Sequence, residues 1–395
     1  MKSLIPLLQI ELNFSDYKFG LLCFISGFVI AMVCIPPIIR LVNKYRLHDI
    51  PDSRKEHSLP TPTLGGIAII LGMAISVALW FPFSFSSEMM VCFFSMAILC
   101  AMGITDDLND LSPKYKFIVE IALACLIALS GIRINTFGGL FGLNELPVSA
   151  QFSFTILAIV GIINAFNFID GIDGLAGGLA FMSLITIGIF LTIGDDKSFA
   201  IIAFALAGSI LGFLFFNMNP AKIFMGDSGS LMIGLVNAIL VIKFITVADS
   251  NVIAIPIESS VVVGIAILIV PLVDTLRVFS IRIFKGNSPF TPDRNHVHHL
   301  LLERGFRHPR ITFFCTALNI LFIAVAYFGR SLGPTYLFLI ILSISFSGLG
   351  ILFYYKRPKP HMFVAKHLDE EEEFVSGPTP KIVTLTKETA IAEQQ

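Results

Sequence analysis

Four short polar segments interrupt a strongly apolar chain, and each carries groups suited to a hard cation or a phosphate. Asp106 and Asp107 are adjacent, with Asp110, Lys114 and Lys116 just beyond. Neighbouring carboxylates repel each other, and a cation, a basic group or a proton relieves the repulsion. Asn164, Asn167, Asp170 and Asp173 recur at three-residue steps, so a continuing helical turn would place all four on one face. That spacing is not the two-residue alternation of a calcium loop. Asp227 stands in the run Met225, Gly226, Asp227, Ser228, Gly229, Ser230. The fourth segment, from Ser288 to His299, offers Asp293, Arg294, His296, His298 and His299. Carboxylates suit Mg²⁺, which takes one or two of them and lets substrate phosphates fill its other positions. Arg, Lys and His suit the phosphates themselves. Phosphoryl transfer, which needs mainly positioning and charge neutralisation, is the chemistry this set fits.

Plainer explanations exist for each segment taken singly. A solvated helix end would account for Asp106 and Asp107, although acids there oppose the helix dipole. Helix gluing would account for the amides and carboxylates of 164–173. Capping by Asp227 or Ser228 would account for the third segment, though not for the glycines flanking both. In the fourth, zinc fits less well than phosphate, because no Cys lies near and the neighbouring groups are mostly hard oxygen donors.

The elements that position these groups follow from composition. The chain has 395 residues, 55% hydrophobic and only 14% charged, with mean hydropathy +0.84, outside the range of a water-soluble globular domain. It reads as an all-α polytopic membrane protein, since a helix needs about 20 apolar residues to cross the hydrocarbon core. About eleven such stretches occur, near 19–41, 64–83, 89–104, 117–131, 152–169, 175–193, 199–216, 231–247, 261–283, 312–329 and 336–355. Basic residues collect after the first (Lys44, Arg46, Arg54, Lys55), third (Lys114, Lys116) and ninth (Lys285, Arg294, Arg304, Arg307, Arg310) stretches. The positive-inside bias therefore predicts an outside amino terminus, an inside carboxy terminus and all four polar segments opening on the cytoplasmic face.

The first stretch contains Pro36 and Pro37 and ends in a basic cluster, so it reads as a permanent span rather than a cleaved signal. Cys23, Cys34, Cys92, Cys100, Cys125 and Cys315 lie in apolar stretches without metal-ligand spacing, which predicts a packing role. Composition predicts an integral membrane domain over 1–355 and a polar, disordered cytoplasmic tail over 356–395, with its acidic run Asp369 to Glu373.

The stretches DDLNDLSPKYK, NAFNFIDGIDGLAGG, NPAKIFMGDSGS and SPFTPDRNHVHHLLLERG resemble, in order and topology, the polyprenyl-phosphate N-acetylhexosamine-1-phosphate transferases, over roughly 54–305. The resemblance implies a bundle of about eleven helices with a cytoplasmic cleft. It implies transfer of a sugar 1-phosphate from a UDP-sugar to undecaprenyl phosphate, with release of UMP and a need for Mg²⁺, Mn²⁺ being an admissible substitute. By position, Asp106 and Asp107 match the family's paired catalytic aspartates, and Asp227 matches its Mg²⁺ ligand. Asn164, Asn167, Asp170 and Asp173 match residues shaping the nucleotide and metal pocket, Asn164 being assigned to the metal. Arg294, His296, His298 and His299 match the loop engaging sugar and pyrophosphate. Lys55 and His57, beside Arg54, resemble the first cytoplasmic motif, where a positive-inside anchor is the competing explanation.

The pattern of the last loop looks like the branch that starts O-antigen, enterobacterial common antigen or teichoic acid linkage, rather than the one transferring phospho-muramoyl-pentapeptide. Asn287 stands where members often carry a basic residue. Implied partners are UDP-N-acetylhexosamine, most commonly UDP-N-acetylglucosamine, undecaprenyl phosphate and membrane lipids. A homodimer is an open expectation, and no nucleic acid is expected. The alternatives are a cation-coupled transporter, which calls for ionisable groups near the bilayer midplane and inverted repeats, and an intramembrane aspartyl protease, which calls for a second mid-helix aspartate beside Asp227. Asp274 and Arg277 do lie within the ninth stretch, but at i and i+3 they can pair with each other.

Overall fold

The computed structural model describes residues 14–45, 48–49, 61–82, 85–249, 257–286 and 296–354. Among them are thirteen α-helices: α1 (Phe14–Tyr45), α2 (Gly65–Trp80), α3 (Ser87–Asn109), α4 (Pro113–Ser130), α5 (Val148–Ile169), α6 (Leu175–Ile193), α7 (Lys197–Asn217), α8 (Gly226–Asp249), α9 (Ser260–Ile267), α10 (Ile269–Phe284), α11 (Val297–Glu303), α12 (His308–Phe328) and α13 (Pro334–Tyr354). Eight helices are long and apolar enough to cross a membrane, nine if α9 and α10 form one broken span. Two of the stretches expected to span fall short of that standard. Helix α2 has only 16 residues, and α4 carries Lys114, Lys116 and Glu120 in its first half.

The all-helical expectation misses two small hairpins, β1 (His48–Asp49) with β2 (Thr61–Pro62), and β3 (Thr136–Leu140) with β4 (Leu143–Glu145). The second turns through Phe141 and Gly142 at positive φ, a reversal that a hydropathy reading passes over.

Helix α8 is the axis of the bundle. It packs against α2, α3, α5, α6 and α9, and Leu231 through Ile242 are buried on every side. A helix apolar all round belongs in such an interior position. Around it α1 packs on α2 and α7, burying Cys23, Ala31, Ile35 and Val42 while Leu21, Ile25, Val29 and Val33 face outward. All six cysteines are free thiols.

Helices α9 and α10 meet at a 79° bend. The bend frees backbone groups, and Asn319 of α12 takes up two of them: its Nδ2 donates to the Ile267 carbonyl at 2.9 Å and its Oδ1 accepts from the Val270 amide at 3.4 Å. Breaking a span is tolerable when a neighbouring helix re-satisfies the opened ladder in this way. Helix α10 thus runs off at an angle, carrying Asp274 toward the polar end of the bundle. That end gathers the C-termini of α3 and α5 and the N-termini of α4 and α8.

Candidate functional site

The site is built around the first turn of α8. Asp106 and Asp107 end α3 as consecutive residues, so their side chains diverge by about 100° around the helix and do different things. Asp107 reaches the α8 N-terminus, where Oδ1 accepts the Asp227 amide at 2.7 Å and Oδ2 the Ser228 amide at 3.1 Å. The cap expected from Asp227 or Ser228 is therefore supplied by another helix. Gly226 makes this approach feasible, since its φ is +71° and a Cβ there would lie 2.7 Å from the Asp107 carboxylate.

Asp106 turns the other way. It accepts the Leu111 amide at 2.7 Å and forms a close ion pair with Lys116 of α4. The same ammonium lies 2.7 Å from Asp227 Oδ2, so the two carboxylates converge on one cation. Asp227 Oδ1 accepts Asn167 Nδ2 at 3.0 Å, and Asn167 also reaches Ser230 Oγ at 3.0 Å. With 28% of its side chain exposed, against 8% for Asp106, Asp227 is the carboxylate more open to a ligand.

Asn164 lies one turn before Asn167 on the same face of α5. Its Nδ2 donates to Glu120 Oε2 at 2.5 Å and to the Val160 carbonyl at 2.9 Å. Beyond Asn167 the expected single face breaks, because α5 stops at Ile169 and the chain turns through Gly171 and Gly174, the latter at φ +75°. Asp170 sits half-buried at the helix end. Burial, then the nearby charges of Asp227, Asp107 and Asp173, push its carboxyl up to about 7. Asp173 points elsewhere: Oδ2 accepts Asn219 Nδ2 at 2.9 Å and the Ala221 amide at 3.2 Å, and lies 3.5 Å from His308 Nδ1. Burial would raise Asp173, but His308 and Asn219 outweigh it and hold the carboxyl below its usual range. Asp173 thus ties the turn to the α7–α8 loop and the start of α12, rather than joining Asn164 and Asn167.

The histidines dock from the far side. Asp274 Oδ2 holds His296 Nδ1 at 2.9 Å, and Oδ1 accepts the Val297 amide at 2.8 Å, fixing the start of α11. Arg277 contacts the same carboxylate at 3.5 Å. His298 is buried beside Gly171, where an added Cβ would come within 2.5 Å of Nε2. Its ring stacks on His296 at 5.5 Å and lies 4.3 Å from His299. Burial, then the neighbouring His299, holds its pKa down at about 3, so the ring is neutral near pH 7. Among the described residues its Nδ1 has no hydrogen-bond partner. An apolar cavity of about 320 Å³ opens beside it, lined by Ile169, Leu175, Val273, Phe314 and Phe322 among others. Arg294, Lys55 and His57 lie outside the described residues.

Among the described residues no group of three or more His, Cys, Asp or Glu side chains converges as a ready-made metal cage. The donor set nevertheless fits a hard divalent cation that keeps water and substrate oxygens. Two carboxylates already share one positive charge, and the Asn164 oxygen is the end of its amide left over by Glu120 and Val160. Asp106, Asp227 and Asn164 are the residues that could hold it. Sequence reasoning passed over Lys116 as an orientation charge and Glu120 altogether. The readable signal for Glu120 was a lone acid inside the apolar run Phe117 to Leu126, where an ionisable residue is expensive.

Residues 89–245 match the sequence family described as Glycosyl transferase family 4. The chain is 31% identical to the probable undecaprenyl-phosphate N-acetylglucosaminyl 1-phosphate transferase of Bacillus subtilis, over 72% of this chain and 78% of that one. It is 34% identical to the decaprenyl-phosphate N-acetylglucosaminephosphotransferase of Mycobacterium leprae, over 74% and 78%. It is 30% identical to the undecaprenyl-phosphate alpha-N-acetylglucosaminyl 1-phosphate transferase of Escherichia coli, over 68% and 72%. None of these three relatives is a transporter or a protease.

Proposed function

The chain belongs to glycosyl transferase family 4, among the polyprenyl-phosphate N-acetylhexosamine-1-phosphate transferases, and from that premise we propose that it transfers N-acetylglucosamine 1-phosphate from UDP-N-acetylglucosamine to undecaprenyl phosphate. An oxygen of the lipid phosphate attacks the phosphorus next to the sugar. The bond from that phosphorus to the bridging oxygen breaks, and UMP leaves with the oxygen, giving a lipid-linked pyrophosphate sugar. The observation that carries this reading is the convergence of Asp106 and Asp227 on one cation at the head of α8. That is the charge pattern a pyrophosphate and its counter-cation need.

In this account Asp227 and Asn164 would hold Mg²⁺, which would supply charge neutralisation on the transferred phosphoryl group. Asp106 and Lys116 line the reacting end, the ammonium facing phosphate oxygens. Asp107 fixes the α8 N-terminus so that Asp227 presents at a set position. Asn167 and Asp170 shape the nucleotide side, Asp173 braces the turn behind them, and His296, His298 and His299 meet the sugar and pyrophosphate; Arg294, Lys55 and His57 are assigned to substrate binding by the family resemblance alone. The apolar cavity beside His298 suits the first isoprene units of the acceptor. Counting α2, α4 and the bent pair gives eleven spans over 1–355, with the site on the cytoplasmic face of the cell membrane and 356–395 as a cytoplasmic tail.

The test is to incubate membranes carrying the protein with a panel of UDP-sugars, undecaprenyl phosphate and Mg²⁺. UMP and a lipid-linked sugar should form with UDP-N-acetylglucosamine. A different sole donor would overturn the choice of sugar, and no product with any donor would overturn the function.

A further inference from the structure

We propose that Glu120 is a positioning residue for the metal end of the site, acting through the Asn164 side chain. The inference rests on the reading of Asn164 as a metal donor and extends it to a residue that none of the four polar segments contains. Glu120 is 2% exposed and sits one turn after Lys116 on α4. Both residues of this i, i+4 pair serve the site, Lys116 by holding Asp106 and Asp227, Glu120 by accepting Asn164 Nδ2 at 2.5 Å.

The chemistry of an amide makes that contact directional. An Asn side chain has two N–H donors at one end and an oxygen acceptor at the other. Here both donors are consumed, one by Glu120 and one by the Val160 carbonyl. The oxygen, the end able to coordinate a hard cation, is thereby turned away from both. Without Glu120 the amide could rotate and offer an N–H, which coordinates nothing and repels a cation. A buried carboxylate inside an apolar helix is costly to keep, and a directional task of this kind supplies a reason for it. Partners of this sort typically govern metal affinity by about ten- to a hundredfold.

The experiment uses the full chain purified in detergent. It measures Mn²⁺ binding by the loss of free-Mn²⁺ EPR signal, alongside UMP release, for Glu120→Ala, Glu120→Gln, Asn164→Ala and the double variant Glu120→Ala/Asn164→Ala. Glu120→Ala should weaken Mn²⁺ binding by about tenfold or more. Glu120→Gln, whose oxygen still accepts the Asn164 N–H, should stay within about threefold of the parent, and the double variant should bind no worse than Asn164→Ala alone. Parent-like binding by Glu120→Ala, with Asn164→Ala impaired, overturns the role of Glu120 and leaves the metal reading standing. So do losses that multiply in the double variant. Parent-like binding by Asn164→Ala overturns the metal reading and this inference with it. If Glu120→Ala is not monodisperse, Glu120→Gln decides, and a loss greater than about tenfold overturns the proposal.

Discussion

Asp107 Oδ1 accepts the backbone N–H of Asp227 at 2.7 Å, so one acid of the adjacent pair caps the helix that presents the other principal carboxylate. Asp106, its neighbour in sequence, contacts the amide of Leu111 and the side chain of Lys116 instead. Two residues that look equivalent in sequence therefore make different contacts, Asp107 with the head of α8 and Asp106 with Leu111 and Lys116.

Stability should report that separation. Asp107→Ala strips the acceptors from two N–H groups at the head of α8, a cost of about 1–2 kcal/mol for a lost cap. It should lower the apparent melting temperature in detergent by several degrees more than Asp106→Ala does. Equal shifts for the two variants would contradict the assignment.

Replacing Lys116 with Gln removes the positive charge shared by Asp106 and Asp227. UMP release should fall by about a hundredfold or more, the scale of losing one preorganised charged group. Mn²⁺ binding should hold or tighten, because a competing cation has gone. Turnover near the parent level would show that Lys116 does not face the phosphates.

The pH dependence of stability should carry two opposed contributions. Asp170 is raised from 3.8 to about 7, so the folded state holds a proton the unfolded state has released. Its stabilisation is full below pH 3.8 and is lost as pH rises toward 7. His298 is lowered from 6.5 to about 3, so its contribution is full above pH 6.5 and is lost as pH falls through that range. The two windows overlap and offset each other in the parent, so between about pH 4 and 6.5 the thermal stability should rise with pH in Asp170→Asn, where only the His298 contribution remains, and fall with pH in His298→Gln, where only the Asp170 contribution remains. Curves unchanged by either substitution would contradict the assigned shifts.

Asp274 is tied to the histidine end of the site, through His296 and the Val297 amide. Asp274→Ala frees His296 and the Val297 amide, which should cut turnover at least about tenfold while leaving Mn²⁺ affinity unchanged. Loss of Mn²⁺ binding in this variant would place Asp274 in the metal site instead.

Much of the site is legible in the sequence itself. Asp106, Asp227, Asn164 and Asn167 stood out because polar groups at the ends of apolar helices are costly unless they work; Asp106 and Asp227 meet through Lys116 and Asn167 reaches Asp227, while Asn164, one turn before Asn167, pairs with Glu120. Asp173 did not follow them, since three-residue periodicity assumes a helix that Gly171 and Gly174 end. Asp274 looked like one half of a pair with Arg277, because its stronger partner, His296, lies 22 residues away across a loop. Lys116 passed for a topology charge, and Glu120 was overlooked because its partner sits 44 residues off on another helix. Long-range side-chain pairing leaves no periodic trace in a single sequence.

In the proposed reaction Asp227 would hold the cation that serves phosphoryl transfer. Asp227→Asn, inserted normally and monodisperse in detergent, keeps the shape of the side chain while replacing a carboxylate ligand with a neutral amide. Measured as Mg²⁺-dependent UMP release from UDP-N-acetylglucosamine and undecaprenyl phosphate, the variant should show no turnover above background. Near-normal, Mg²⁺-dependent release would contradict the account.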